Sequence, residues 1–264
     1  MHPLLNIAIQ AARNAAKIIV RFFDRLDTLE IDEKERNDFV TQVDRYSEEE
    51  IIATIRKSYP DHTILAEESG LAAGKDEYVW IIDPLDGTAN FIHGFPHFAI
   101  SIAVTYRNQL EVGVIYDPLR QELFTAARGR GAQLDNRKIR VSQCQKLDRA
   151  LLGTGFPFKE KSQFNAYFHL FKTIFPNVAG VRRAGAAALD LAYVAAGRLD
   201  AYWELGLKPW DMAAGLLLVK EAGGLVGDLD GKSDVMETGN VLVGNPKIYP
   251  VLSELILAST LPQK

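Results

Sequence analysis

Cysteine is almost absent: Cys144 is the only one in 264 residues, so neither an intrachain disulfide nor a thiolate-built zinc cluster is possible. A reducing cytosol is the natural setting for such a chain. No apolar run reaches the roughly 20 residues that a membrane-spanning helix needs. Excess positive charge is missing too. With 30 lysines and arginines against 34 acids the net charge is -4, which argues against nucleic acid as the principal ligand, because neutralising a phosphate backbone calls for a basic face. Carboxylate-held cations remain compatible. What is present is an ordinary globular complement, 47% hydrophobic, over a length that suits one large domain or two small ones.

Residues 1–23 carry Arg13, Lys17 and Arg21 with no acid, a superficial likeness to an amphipathic transit segment. The stretch has no serine and no unbroken apolar core. Leu5, Ala8, Ala12, Ala15 and Ile19 recur at helical spacing instead, which predicts a packed first helix.

The most informative stretch runs from Trp80 to Phe91, where an apolar segment stops at two carboxylates, a glycine and a hydroxyl. Val79–Ile82 does not alternate, so it reads as a strand covered on both faces. Asp83 is then expected as its last residue, since Pro84 biases it to an extended conformation and removes a pairing donor. Asp86 follows on the turn, Gly87 permits close approach of a ligand, and Thr88 is positioned to cap a short helix. Two readings stand side by side: a strand, turn and cap, or oxygen ligands beside phosphate-binding amides.

Elsewhere the pattern predicts alternating elements. Thr28–Asn37 is charged and aperiodic, hence an exposed loop, with Lys34 either a solvated side chain or a functional cation. A second helix is expected to open at Asp38–Thr41, with Asp44 near its first turn and Ile51, Ile52 and Ile55 on its apolar face. Thr63–Ala66 reads as a strand leading into Glu67-Glu68, of which only one can share the preceding face. Phe98–Thr105, Val112–Tyr116 and Glu122–Ala126 form a meander. His93 and His97 flank its start without zinc-helix spacing. After a polar passage at Arg140–Arg149, strands at Leu151–Thr154, Val178–Arg182 and Leu199–Glu204 alternate with helices. The helices are expected at about Lys159–Phe175, from Arg183 to Gly197, and from Pro209 to Gly223. Asp211 at the last of these suits the helix dipole alone, and Glu204 suits a surface strand. Gly231-Lys232-Ser233 is not a P-loop, because position 226 is Val226.

If Glu67, Asp83, Asp86 and Asp211 converge, they need a counter-ion, since two charges about 4 Å apart repel by roughly 4 kcal/mol at an effective dielectric of 20. All-oxygen ligands favour Mg²⁺, or Mn²⁺, over zinc. Such ions would bridge a phosphate and activate a water, and phosphate ester hydrolysis results.

Ala66-Glu67-Glu68-Ser69, the run Trp80–Phe91, and Trp210-Asp211 onward to Gly224 resemble the G-E-E-S, W-x-I-D-P-x-D-G-T-x-N-F and W-D-x-A-A-G signatures of the inositol monophosphatase family. The resemblance implies a mixed α/β fold, a layered α-β-α-β-α sandwich whose halves, 1–140 and 141–264, meet near residue 140. It implies a cytoplasmic homodimer that converts inositol-1-phosphate to myo-inositol and phosphate with two or three Mg²⁺ per site and is inhibited by lithium. Carried over residue by residue, Glu67, Asp83, Asp86, Asp211 and the Leu85 carbonyl hold metal. Asp44 and Thr88, with Glu67, activate the attacking water. Gly87 and Thr88 amides bind phosphate, Ala187 and Glu204 contact the inositol hydroxyls, and Lys34 is the mobile-loop lysine. Similar sites serve nucleotide 3'-phosphates and fructose bisphosphate. A likeness to bacterial members, through Asn37–Thr41, Gly153–Pro157 and Ala188–Tyr193, implies an alternative role: transcription antitermination in ribosomal RNA synthesis through NusA and RNA polymerase. The chain departs from the family pattern at Glu35-Arg36 in place of Gly-Ser and at Ala66 in place of glycine. Ala89 and Ala186 stand where hydroxyl residues are common, and Lys208 occupies a variable position.

Overall fold

The computed structural model describes residues 2–29, 31–35, 38–157 and 161–260. The chain begins with α1 (Pro3–Phe23), a hairpin of β1 (Ile31–Glu35) and β2 (Asp38–Thr41), and α2 (Gln42–Ser58). Strands β3 (Thr63–Ala66), β4 (Gly70–Ala72) and β5 (Tyr78–Asp86) precede the single-turn α3 (Thr88–Ile92). The meander follows as β6 (Ala99–Tyr106), β7 (Gln109–Asp117), β8 (Glu122–Ala127), β9 (Gly131–Leu134) and β10 (Arg137–Lys138). Then come β11 (Leu151–Thr154), α4 (Phe164–Ile174), β12 (Gly180–Arg182), α5 (Ala187–Ala195) and β13 (Ala201–Glu204). The last elements are α6 (Pro209–Glu221), β14 (Leu225–Gly227), α7 (Val235–Thr238), β15 (Val241–Gly244) and α8 (Ile248–Thr260).

These elements stack in five layers, α-β-α-β-α. The eight-stranded sheet runs β10-β9-β8-β7-β6-β5-β3-β4 and is antiparallel except between β3 and β5. The five-stranded sheet runs β12-β11-β13-β15-β14, with β11 parallel to both its neighbours. Trp80 and Ile82 of β5 face α1 and α2, in one core with Ala12, Ile19 and Ile55. Ile81 faces the opposite way, into a core with Leu189 of α5 and Leu216 of α6. The unalternating run is therefore covered on both faces, as its composition predicts, and each fully buried aliphatic contributes roughly 1.5–3 kcal/mol. Helices α5 and α6 form the middle layer, while α4 and α8 close the outer face of the second sheet around Trp203, Leu242 and Leu252. Among the described residues no helix is long and apolar enough to cross a membrane.

Several expected boundaries move. Ile31–Glu35, expected within a loop, is a strand that pairs antiparallel with Asp38–Thr41, Ile31 opposite Thr41 and Asp32 opposite Val40. Among the described side chains of this pair Val40 is buried while Ile31 is 47% exposed, so little apolar alternation marks it in the sequence. Asp38–Thr41 consequently belongs to β2, and α2 starts at Gln42 with Thr41 as its cap. The alanine-rich helix starts at Ala187 rather than Arg183, since Gly185 takes a φ of 91° that no helix tolerates. The fourth helix starts at Phe164, later than expected. Residues 158–160 of that prediction lie outside the described residues.

The largest correction concerns Pro84. It does not end sheet pairing: β5 pairs Asp83 with Ser101 and then Asp86 with Ala99, so three steps along β5 match two along β6. One extra residue is absorbed in a β-bulge, where a proline without an N–H costs nothing in the ladder.

Candidate active site

That bulge decides where two carboxylates point. Side chains three residues apart on a regular strand lie on opposite faces, but the extra residue restores Asp86 to the face of Asp83. Their partners Ser101 and Ala99 share one face of β6, and the Ser101 hydroxyl donates to the Trp210 carbonyl of α6 at 3.1 Å. Both aspartates are thus turned toward the middle helical layer, while the Leu85 side chain packs on the other face with α1 and α2.

Each aspartate is held by backbone. The Leu85 N–H donates to Asp83 Oδ1 at 3.0 Å, and the Ala188 N–H, in the first turn of α5, donates to Asp86 Oδ2 at 2.7 Å. Burial pushes the Asp83 carboxyl well above the usual carboxylate range, helped by the negative charges of Glu67, Asp86 and Asp211. Asp86 is raised likewise, by burial first and then by Asp211 and Glu67. Glu67 follows the end of β3, its N–H donating to Ile82 O at 3.1 Å, and hydrogen-bonds Asp83. Asp211 sits in the first turn of α6, with its Oδ2 accepting from the Lys208 N–H at 2.7 Å.

Asp44 approaches from α2. Its Oδ2 accepts from Thr41 N and Oγ1 at 2.8 and 2.6 Å, a capping box that fixes the carboxylate, while Oδ1 lies 2.9 Å from Thr88 Oγ1. Burial raises the Asp44 carboxyl against the opposing effect of those bonds. Thr88 Oγ1 also lies 3.1 Å from Leu85 O. Thr88 is the first residue of α3 rather than its cap. Gly87 is the cap, at φ 95°, and a Cβ there would meet His97 O at 3.0 Å and Ala186 Cβ at 3.3 Å.

Glu204 ends β13 with its carboxyl pushed up to about 7 by burial, against a hydrogen bond from the Tyr202 hydroxyl. Asp211 contributes to that shift, so the two acids share one region. Ala187 opens α5 one residue before the amide that holds Asp86. Lys34 lies in β1, and its side chain falls outside the described residues. His97 is buried in edge-to-face contact with Tyr193 and its pKa is lowered to about 4 by burial.

The carboxylates are mutual electrostatic neighbours, yet among the described residues no three histidine, cysteine or acid donors close on one point in metal-binding geometry. The donor set nevertheless fits a hard cation. Four acids face one region, and burial together with their mutual repulsion raises Asp83 and Asp86, a set of hard oxygen donors that suits a cation.

Three contributors escape sequence reasoning. Asn90 Nδ2 donates to His97 O at 2.7 Å and Ala184 O at 3.0 Å, tying α3 to the approach of α5. Asp190 is buried one turn into α5 with its carboxyl raised well above the ordinary range, by burial first and then by Glu204. Glu48, one helical turn after Asp44 on α2, is buried and accepts from the backbone N–H groups of Glu68 and Ser69. The four-residue spacing of Asp44 and Glu48 was the available signal.

Comparison with known proteins gives a consistent picture. A model described as the inositol monophosphatase family matches residues 1–261. A Nus factor SuhB from Pseudomonas aeruginosa is 54% identical over 257 residues, covering 96% of this chain and 95% of that protein. The crystal structure of the extragenic suppressor protein suhB from Bartonella henselae aligns with a TM-score of 0.94 at 41% identity, covering 97% of this chain and 98% of that one. The inositol monophosphatase of Anabaena aligns with a TM-score of 0.85 at 40% identity, covering 97% and 95%.

Proposed function

This chain belongs to the inositol monophosphatase family, and on that premise we propose that it is a cytoplasmic, Mg²⁺-dependent phosphatase that hydrolyses inositol-1-phosphate to myo-inositol and phosphate. The observation that supports this most is the pair Asp83 and Asp86, brought to one face by the bulge, with carboxyls raised by burial and then by the field of Glu67 and Asp211. In this reading Glu67, Asp83, Asp86, Asp211 and the Leu85 carbonyl hold Mg²⁺, which when bound supplies a Lewis acid for the phosphate and lowers the pKa of an attacking water. Residues 1–140 supply most of these donors, and 141–264 supply Asp211 with the substrate contacts.

The chain's own groups then divide the work. The Thr88 hydroxyl donates to Asp44 or Leu85 and leaves its lone pairs to accept from the water. Asp44, held by Thr41, receives the proton through that hydroxyl. The amides of Gly87 and Thr88 bind the phosphate. Glu204 and the Ala187 backbone orient the inositol hydroxyls, with Glu204 poised between donor and acceptor near neutrality. The test is phosphate release from inositol-1-phosphate by metal-stripped protein titrated with Mg²⁺. Turnover should appear with the metal, fall on adding lithium, and be abolished in Asp86→Asn. A folded protein that releases no phosphate from any of a panel of small esters would refute the reading.

The name of the P. aeruginosa relative, a Nus factor, favours a second role beside the first: antitermination in ribosomal RNA synthesis through binding of NusA and RNA polymerase. Asp86→Asn separates the two, because it removes catalysis and leaves the surface intact. Retained NusA binding by that variant is the expected result.

A further inference from the structure

Helix α2 touches the site twice. Its first turn presents Asp44 to Thr88. One turn on, about 6 Å along the axis, Glu48 is 3% exposed and has both carboxyl oxygens engaged: Oε2 accepts from the Glu68 N–H at 2.8 Å and Oε1 from the Ser69 N–H at 2.8 Å. Those two N–H groups belong to the turn of the β3–β4 hairpin, where Ala66 pairs with Gly70 and Glu67, Glu68 and Ser69 span the gap. Glu67 is tied on its other side, through its own N–H, to Ile82 O of β5.

We propose that Glu48 is a positioning residue: by clamping the two amides that follow Glu67, it sets the direction from which the Glu67 carboxylate meets Asp83 and the metal. The proposal rests on the phosphatase reading and extends it to a residue with no contact to substrate. The physical basis is twofold. A two-point clamp removes the rocking freedom that a three-residue turn otherwise keeps, and a ligand whose backbone is fixed in advance loses less entropy when it binds an ion. Because Asp44 and Glu48 ride on one helix, the water-activating pair and the ligand turn share a single reference frame.

Glu48→Gln puts an NH₂ donor against one of the two N–H donors, so it breaks one bond while preserving volume. Glu48→Asp keeps two acceptors on a shorter stem and serves as the second variant should the glutamine form fold poorly. Mg²⁺ affinity is measured by calorimetric titration into metal-stripped protein, alongside hydrogen exchange at the Glu68 and Ser69 amides and kcat at saturating Mg²⁺. The expected result for Glu48→Gln is an affinity weaker by about 10- to 100-fold, faster exchange at those two amides, and a kcat that recovers at high Mg²⁺. Glu48→Asp should fall between the two. Unchanged affinity in both variants beside a parent that binds Mg²⁺ overturns the positioning role and leaves the phosphatase reading standing. A parent that binds no Mg²⁺ overturns both.

Discussion

Thr88 has one hydroxyl hydrogen and two acceptors within reach, Asp44 Oδ1 at 2.9 Å and Leu85 O at 3.1 Å. Since both are acceptor-only, Thr88 is the member of this trio that donates, and its oxygen lone pairs can at the same time accept a hydrogen bond from water. Thr88→Val is close in shape and deletes the hydroxyl, and with it both the donation to Asp44 and the acceptance from water. It should lower kcat by about 10²–10⁴, the usual range for a lost proton-transfer partner, with Mg²⁺ affinity little changed. It should also cost about 1.5–3 kcal/mol in denaturant unfolding, because the buried Asp44 loses a hydrogen bond to a charged group. Thr88→Ser restores the hydroxyl and should recover most of the rate. A valine variant that turns over like the parent at saturating Mg²⁺ would remove Thr88 from the proton path.

At the scale of elements, the site depends on how closely α5 and α6 cross. A Cβ on Gly215 of α6 would lie 2.4 Å from Leu191 Cβ of α5, a separation no packed pair tolerates. Gly215→Ala must therefore push the helices apart, at a cost of about 1–3 kcal/mol for overpacking. That corresponds to a lowering of Tm by roughly 2–4 °C per kcal/mol in thermal unfolding of a chain this size. Because α6 carries Asp211 and α5 carries the amide that holds Asp86, half-saturating Mg²⁺ should rise as well. The same elements show what the residues alone disclose. Apolar runs and turn residues identified β5, the meander, α2 and α6, and the D-x-x-D-G-T pattern singled out Asp83 and Asp86. That those two share a face was not legible, because a spacing of three on a strand implies the opposite and the bulge depends on pairing with β6. The pairing of Ile31–Glu35 with Asp38–Thr41 was hidden for a related reason, since it depends on a partner strand and the charged sequence Asp32-Glu33-Lys34-Glu35 gives no apolar alternation to read. Glu48 stood in a run of three acids, Glu48-Glu49-Glu50, and became distinct only once the β3–β4 turn lay against its helix.

The whole molecule is organised around acids gathered beside its middle layer. Asp83, Asp86, Asp190 and Glu204 all have carboxyls raised by burial, Glu204 to about 7. Each holds its proton to a higher pH when folded than when unfolded. Between the unfolded and folded pKa the native state therefore binds more protons, and stability must fall as pH rises. For Glu204 the contribution is fully present below its unfolded value of 4.5 and is lost as pH passes through about 7. His62 and His97, whose pKa values are lowered, act in the opposite sense, but only below about 6.5, where the unfolded imidazoles take up protons. The clean window is thus pH ~6.5 to ~8.5, across which Glu204 alone removes roughly 1 kcal/mol. Metal-stripped protein should accordingly show a Tm that declines over this window. Mg²⁺ reverses the trend, because it binds deprotonated carboxylates and stabilises only the folded form, so the Tm increment it confers should grow with pH. Thermal unfolding at several pH values, with and without saturating Mg²⁺, reads both slopes. A metal-free Tm that stays flat or rises across the window would mean that these carboxyls are not held together as described, and the cation site would lose its electrostatic basis.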